Sequence, residues 1–128
     1  MRVLVADSDP RVRAALNMFF EFETEFAIVG ESADTSSLLA KAKATQPDLV
    51  LIDWELPGNS IAGLIEWLKE AEKPSKVIVL SRRPESEQAA LAVGADAFVS
   101  KMHSANSLLD TLHRLLKPEE RGSVAVSL

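Results

Sequence analysis

Five short apolar runs recur along this chain, each followed by a segment whose apolar residues return at helical spacing. That alternation restricts the fold more than any other feature. The runs are Val3 to Ala6, Phe26 to Val29, Asp48 to Ile52, Val77 to Leu80 and Ala97 to Val99. Runs this short, with β-branched residues, fit strands buried on both faces. Between them, Pro10 opens a helix with Val12, Ala15, Leu16, Phe19 and Phe20 on one stripe. Gly30 closes the second strand, and Thr35 or Ser36 caps a helix facing inward with Leu38, Leu39 and Ala42. Pro47 ends that connection. Ile61, Leu64, Ile65 and Leu68 line a third helix, stopped by Pro74. Pro84 opens an alanine-rich fourth that Gly94 ends, and Ser104 caps a last one carrying Leu108, Leu109, Leu112, Leu115 and Leu116. Phe19, Phe20, Phe22 and Phe26 read as first-helix core and its exit. Five βα units of about 25 residues predict a parallel sheet with helices on both faces, joined by right-handed crossovers.

The 128 residues suffice for one domain with its own core. A net charge of -5 argues against a nucleic-acid surface, which needs a local excess of Lys and Arg. The absence of cysteine excludes disulfides and thiolate metal sites and fits a reducing compartment. No apolar run approaches the ~18 residues of a membrane span, and Met1-Arg2-Val3 starts no signal peptide. A soluble cytoplasmic protein without membrane contact is expected. No G-x-G-x-x-G or Walker pattern follows any strand, which weighs against a flavodoxin-like or other α/β enzyme. Residues 117–128 read as a tail or the start of a linker.

The chemistry gathers at the strand ends. Asp7-Ser8-Asp9 follows the first strand, Asp53 the third, Ser81 the fourth and Lys101 the fifth. Parallel strands end at one edge of the sheet, where open α/β folds place their sites. Carboxylates crowded there repel unless a cation joins them, and hard oxygen ligands suit Mg²⁺. A lysine and a hydroxyl beside them suit an incoming phosphoryl group. Each residue alone has a plainer reading as a strand terminator or surface side chain; four strand ends agreeing is harder to reach by chance. His103 and His113 have no metal-ligand spacing and read as surface residues.

The segments VLVADSDP, PDLVLIDWELPG, VIVLS and GADAFVSK resemble the motifs of the receiver domains of bacterial two-component response regulators, over residues 2 to about 116. The resemblance implies a flavodoxin-like (βα)5 sandwich with strand order 2-1-3-4-5, the order that this family carries. It implies a receiver over 1–116, not an enzyme in the usual sense, with Asp53 accepting a phosphoryl group from a sensor histidine kinase or phosphotransfer protein. Mg²⁺ would be held by Asp7, Asp53 and Glu55, the last through its backbone carbonyl or side chain. Ser81 would bind a phosphoryl oxygen and Lys101 would pair with the phosphate. Phe98 matches the aromatic switch position, although plain core is an equal reading. Ala89 to Val93, Phe98 and the outer face of Ser104 to Leu116 would meet an output domain or partner, and a homodimer is left open. The motif wording leans toward receivers found with DNA-binding output domains, the receiver itself not touching nucleic acid.

Two departures from the family pattern matter. Ser8 stands where a second acid is usual, and a hydroxyl is a poorer Mg²⁺ ligand than a carboxylate. Ser8 also suits a helix cap beside Pro10, while Asp9 points elsewhere. Arg82, followed by Arg83, stands where a small residue is usual. Either Glu55 pairs with one of these arginines across the mouth of the site, or both lie in solvent. Trp54 is expected as a partly covered ring beside it. A degenerate receiver, acting as a phosphorylation-independent interaction module, is the alternative these departures raise.

Overall fold

The structure, a computed structural model, describes residues 1–102 and 105–116. Ser104 as a cap, His103 and the 117–128 tail therefore lie outside the described residues. The strands are β1 (Arg2–Ala6), β2 (Ala27–Ser32), β3 (Leu49–Asp53), β4 (Lys76–Ser81) and β5 (Ala97–Ser100). The helices between and after them are α1 (Pro10–Glu21), α2 (Thr35–Thr45), α3 (Ile61–Glu70), α4 (Glu87–Ala92) and α5 (Ala105–Leu116). All strand pairs are parallel, in the order β2-β1-β3-β4-β5. The flavodoxin-like order expected from the resemblance is the order observed.

Two cores follow from the period-two alternation of strand side chains. Leu4, Val50, Ile52, Val77 and Val79 face α2 and α3 with Leu38, Ile65 and Leu68. Val3, Val5, Leu49, Leu51 and Ile78 face α1 and α5 with Leu16, Phe20, Leu108 and Leu112. Every residue of β3 is buried, which is why that stretch shows no polar alternation in the sequence.

Several boundaries differ from the sequence expectation. Gly30 lies inside β2, where the register slips so that Val3 pairs with Ile28 but Leu4 with Gly30. A Cβ there would meet Leu4 Cδ1 at 3.1 Å. The cap of α2 is Asp34, whose carboxylate accepts from the Ser37 amide at 2.8 Å. Thr35 is instead buried within the first turn, its hydroxyl accepting from the Asn59 amide at 2.8 Å. Pro84 opens a short 3₁₀ turn, Pro84–Ser86, and α4 proper is only six residues. Phe22 leaves the aromatic cluster and is 79% exposed, whereas Phe20 and Phe26 are buried and stack edge-on.

The two edges of the sheet are built differently. At the amino edge, Asp48 exchanges backbone hydrogen bonds with Arg2 and Lys76 at 2.9 Å each. Its carboxylate also accepts from the Arg2 amide at 2.8 Å. That bond, joined by the nearby Lys73 ammonium, holds the Asp48 carboxyl below the usual range against the opposing effect of burial. At the carboxyl edge, ladder bonds run one residue past the strands. The Asp7 amide donates to Ser32 O at 3.0 Å, Trp54 to Leu80 O at 2.9 Å and Lys101 to Ser81 O at 2.8 Å. That edge carries the polar cluster.

Candidate functional site

The register dictates which side chains meet. Ala6 pairs with Ile52, Asp53 with Leu80 and Ser81 with Ser100, so β1, β3, β4 and β5 stop at nearly one level. Asp7, Asp53, Ser81 and Lys101 therefore stand on one rim, as the strand ends predict. Asp7, Asp53 and Ser81 are buried and the Lys101 side chain is 13% exposed. Lys101 Nζ lies 2.6 Å from Asp7 Oδ2 and 3.3 Å from Asp53 Oδ1. A single ammonium thus sits between two carboxylates.

Each carboxylate is oriented by backbone. The Asp9 amide donates to Asp7 Oδ1 at 2.9 Å, and the Glu55 amide donates to Asp53 Oδ1 at 3.0 Å. Among the described residues, none donates to Asp53 Oδ2. Burial pushes the Asp53 carboxyl above its ordinary range. The Asp7 charge adds to that shift, while the Glu55 amide and Lys101 oppose it. Asp7 Oδ2 is fully buried and lacks an aligned hydrogen bond; Lys101 touches it only as an ion contact. Two buried carboxylates that share one ammonium, one of them with an oxygen lacking an aligned hydrogen bond, form a site that a hard cation would complete.

The side chain of Glu55, one of the two ways in which the resemblance has that residue hold the metal, is otherwise engaged. The Ser81 hydroxyl donates to the Glu55 carboxylate, 3.0 Å from Oε1 and 3.1 Å from Oε2. It accepts in turn from the Arg83 amide at 3.0 Å. Glu55 thus holds Ser81 rather than Arg82 or Arg83, which sets aside the pairing alternative for those arginines. Arg82 approaches Asp9 Oδ2 at 3.7 Å instead, sharing it with Arg11 at 3.2 Å, and the Arg11 contacts hold the Asp9 carboxyl below its usual range. The Arg83 side chain is exposed, its amide alone serving the site. Ser8 is exposed and does not cap α1; Asp9 does, accepting from the Arg11 amide at 2.8 Å. Ser8 brings no oxygen inward to replace a carboxylate, and among the described residues no group of three or more His, Cys, Asp or Glu could hold a metal. Asp7 and Asp53 are thus the two acids available, a number that suits Mg²⁺ when phosphate oxygens and water complete its shell.

Around the rim, Trp54 and Phe98 are partly buried against the α2–α3 side of the core. Arg13 donates to the Asp7 carbonyl at 2.6 Å, a support that sequence reading missed because it spans six residues from inside α1. Pro57-Gly58 makes the expected turn after β3. Gly58 has φ +121°, and a Cβ on it would fall 2.1 Å from Thr35 Oγ1. The loop carrying Glu55 is so pressed onto α2, with the Thr35 amide donating to Pro57 O at 3.0 Å. No described helix is long and apolar enough to cross a membrane.

Comparison with known proteins points one way. The family described as response regulator receiver domain matches residues 3–113. A Pseudomonas aeruginosa protein provisionally named a transcriptional regulator is 34% identical over 110 residues, covering 84% of this chain and 53% of that protein. The nitrate/nitrite response regulator protein NarL of Escherichia coli K12 is 26% identical over 114 residues, covering 88% of this chain and 53% of that one. The chain spans about half the length of these curated relatives. Among solved structures, the signal receiver domain of a Mycobacterium tuberculosis protein named NarL superposes with a TM-score of 0.75. It is 29% identical and covers 85% of this chain and 93% of its own.

Proposed function

The chain belongs to the response regulator receiver domain family, and from that premise we propose that Asp53 accepts a phosphoryl group from a phosphohistidine on a sensor kinase or phosphotransfer protein. The observation that carries the reading is the triple contact at the rim: Lys101 between Asp7 and Asp53, with Asp53 Oδ2 unclaimed by any described donor. In the step, a carboxylate oxygen of Asp53 attacks phosphorus, the P–N bond breaks, and the imidazole nitrogen leaves with the bonding pair. The product is an acyl phosphate bearing roughly two negative charges. The Glu55 amide holds Oδ1 and thereby aims Oδ2 outward. Lys101 offsets charge that gathers on the phosphoryl oxygens. Asp7 and Asp53 would hold a Mg²⁺ ion, with the Glu55 backbone carbonyl as the family's further ligand; such an ion would offset the negative charge of the acceptor and of the phosphoryl oxygens.

Once formed, the phosphate rewards a conformation in which Ser81 and Lys101 move toward it. The population shifts to that state in proportion to the difference in contacts. The face made by α4, β5 and α5, with Phe98 at its switch position, would then bind an output domain or partner; control of transcription is the output that the names of the relatives suggest. The test is incubation with acetyl phosphate and Mg²⁺ followed by intact-mass measurement. The chain gains one phosphoryl group and Asp53→Asn gains none. A second reading, a receiver that signals without phosphate, draws support from Ser8 in place of an acid and from the engaged Ser81 hydroxyl. An unchanged mass in the native chain would favour it.

A further inference from the structure

We propose that Glu55 is a positioning residue that withholds the Ser81 hydroxyl from the phosphoryl group, setting how readily the domain is phosphorylated and switched. This rests on the phosphoacceptor reading above. Ser81 Oγ has one proton, and that proton is directed at the Glu55 carboxylate, with both carboxylate oxygens within 3.1 Å. A lone pair of the same oxygen accepts from the Arg83 amide at 3.0 Å. Ser81 is fully buried, so water reaches the bond only from the exposed Glu55 side, and the hydroxyl is held by an acceptor on one side and a donor on the other. A phosphoryl oxygen on Asp53 needs that one proton. The two bonds exclude each other.

Glu55 is well placed for this because it serves both ends of the reaction. Its amide fixes Asp53 Oδ1 at 3.0 Å while its carboxylate holds Ser81. The loop that carries it is pressed against Thr35 through Gly58 and the Thr35–Pro57 bond, so the carboxylate is presented over the rim. Neither arginine of the β4–α4 loop neutralises it, since Arg82 is drawn to Asp9 and Arg83 contributes its amide. Phosphorylation must break a charge-assisted bond before Ser81 can turn, and the added negative charge then repels Glu55 from the site. The latch opens from the phosphate side.

The experiment is a double-mutant cycle on the initial rate of phosphorylation by acetyl phosphate with Mg²⁺, read by intact mass. In that reaction Asp53 attacks phosphorus and acetate leaves with the P–O bonding pair. Glu55→Ala is expected to react about tenfold faster than the native chain, the factor that one charge-assisted hydrogen bond commands. In a Ser81→Ala background the same substitution gives no acceleration, because no hydroxyl remains to be released. Amide exchange at Arg83 rises in Glu55→Ala before any phosphate is added. Equal acceleration with and without Ser81 would mean that Glu55 acts by charge alone, and an unchanged rate in Glu55→Ala would mean that it does not act; either overturns this inference while leaving the acceptor reading intact. No mass gain in any of the four proteins overturns both.

Discussion

At the scale of single residues, Asp53 illustrates a group kept where it is costly. Its carboxyl is raised by burial and by Asp7, and one shared ammonium only partly offsets this. A raised folded value means that the folded state favours the protonated form. Stability associated with this group is therefore present below the unfolded value and lost as pH rises through the folded one. Asp53→Asn, which keeps an acceptor for the Glu55 amide, should raise the thermal midpoint in metal-free buffer at pH 7, and the gain should shrink toward pH 3. A lower midpoint at pH 7 would contradict this. The aspartate, the lysine and the hydroxyl were legible in the sequence because each ends a buried run. The Ser81–Glu55 bond was not, since it joins the end of β4 to a loop residue 26 positions away, and its geometry depends on Gly58 and on the Arg83 amide.

At the scale of elements, the joints explain both what the sequence reveals and what it hides. β1, β3 and β4 declare themselves by wholly apolar runs. β2 is an edge strand of mostly half-buried residues, so its polar second half, Gly30 to Ser32, looks like loop although it pairs with β1 across the bulge. The cap of α2 was ambiguous because Asp34, Thr35 and Ser36 are all cap formers, and backbone conformation alone selects the first. A further joint has no sequence signature. Asp96, just before β5, accepts from the Val77 amide at 2.8 Å and from Lys69 Nζ at 2.6 Å. It thereby ties α3 and β4 to the entry of β5. Asp96→Ala leaves that amide and the ammonium without their carboxylate, and should lower unfolding free energy by about 2 kcal/mol. Urea denaturation would measure it, and a change within ~0.5 kcal/mol, the range of ordinary surface substitutions, would refute the joint.

For the molecule as a whole, the two edges of the sheet carry opposite electrostatics. The carboxyl edge holds a raised acid at the site, while Asp48 at the amino edge is lowered by the Arg2 amide and Lys73. A depressed folded value contributes stability above the unfolded value near 3.9 and loses it as pH falls through the folded one. Asp48→Asn should therefore cost about 1 kcal/mol at pH 7, with the difference from the native chain closing below pH ~4. Denaturation midpoints at both pH values would check this; a deficit that persists at pH 2 would assign the effect to packing instead.

Among the helices, α4 stands apart: six residues long and entered through a 3₁₀ turn, it buries Ala90 alone. One methyl group is slender anchorage. That flank is therefore the stretch of surface whose contour would yield first to a push at the rim while the interior stays packed.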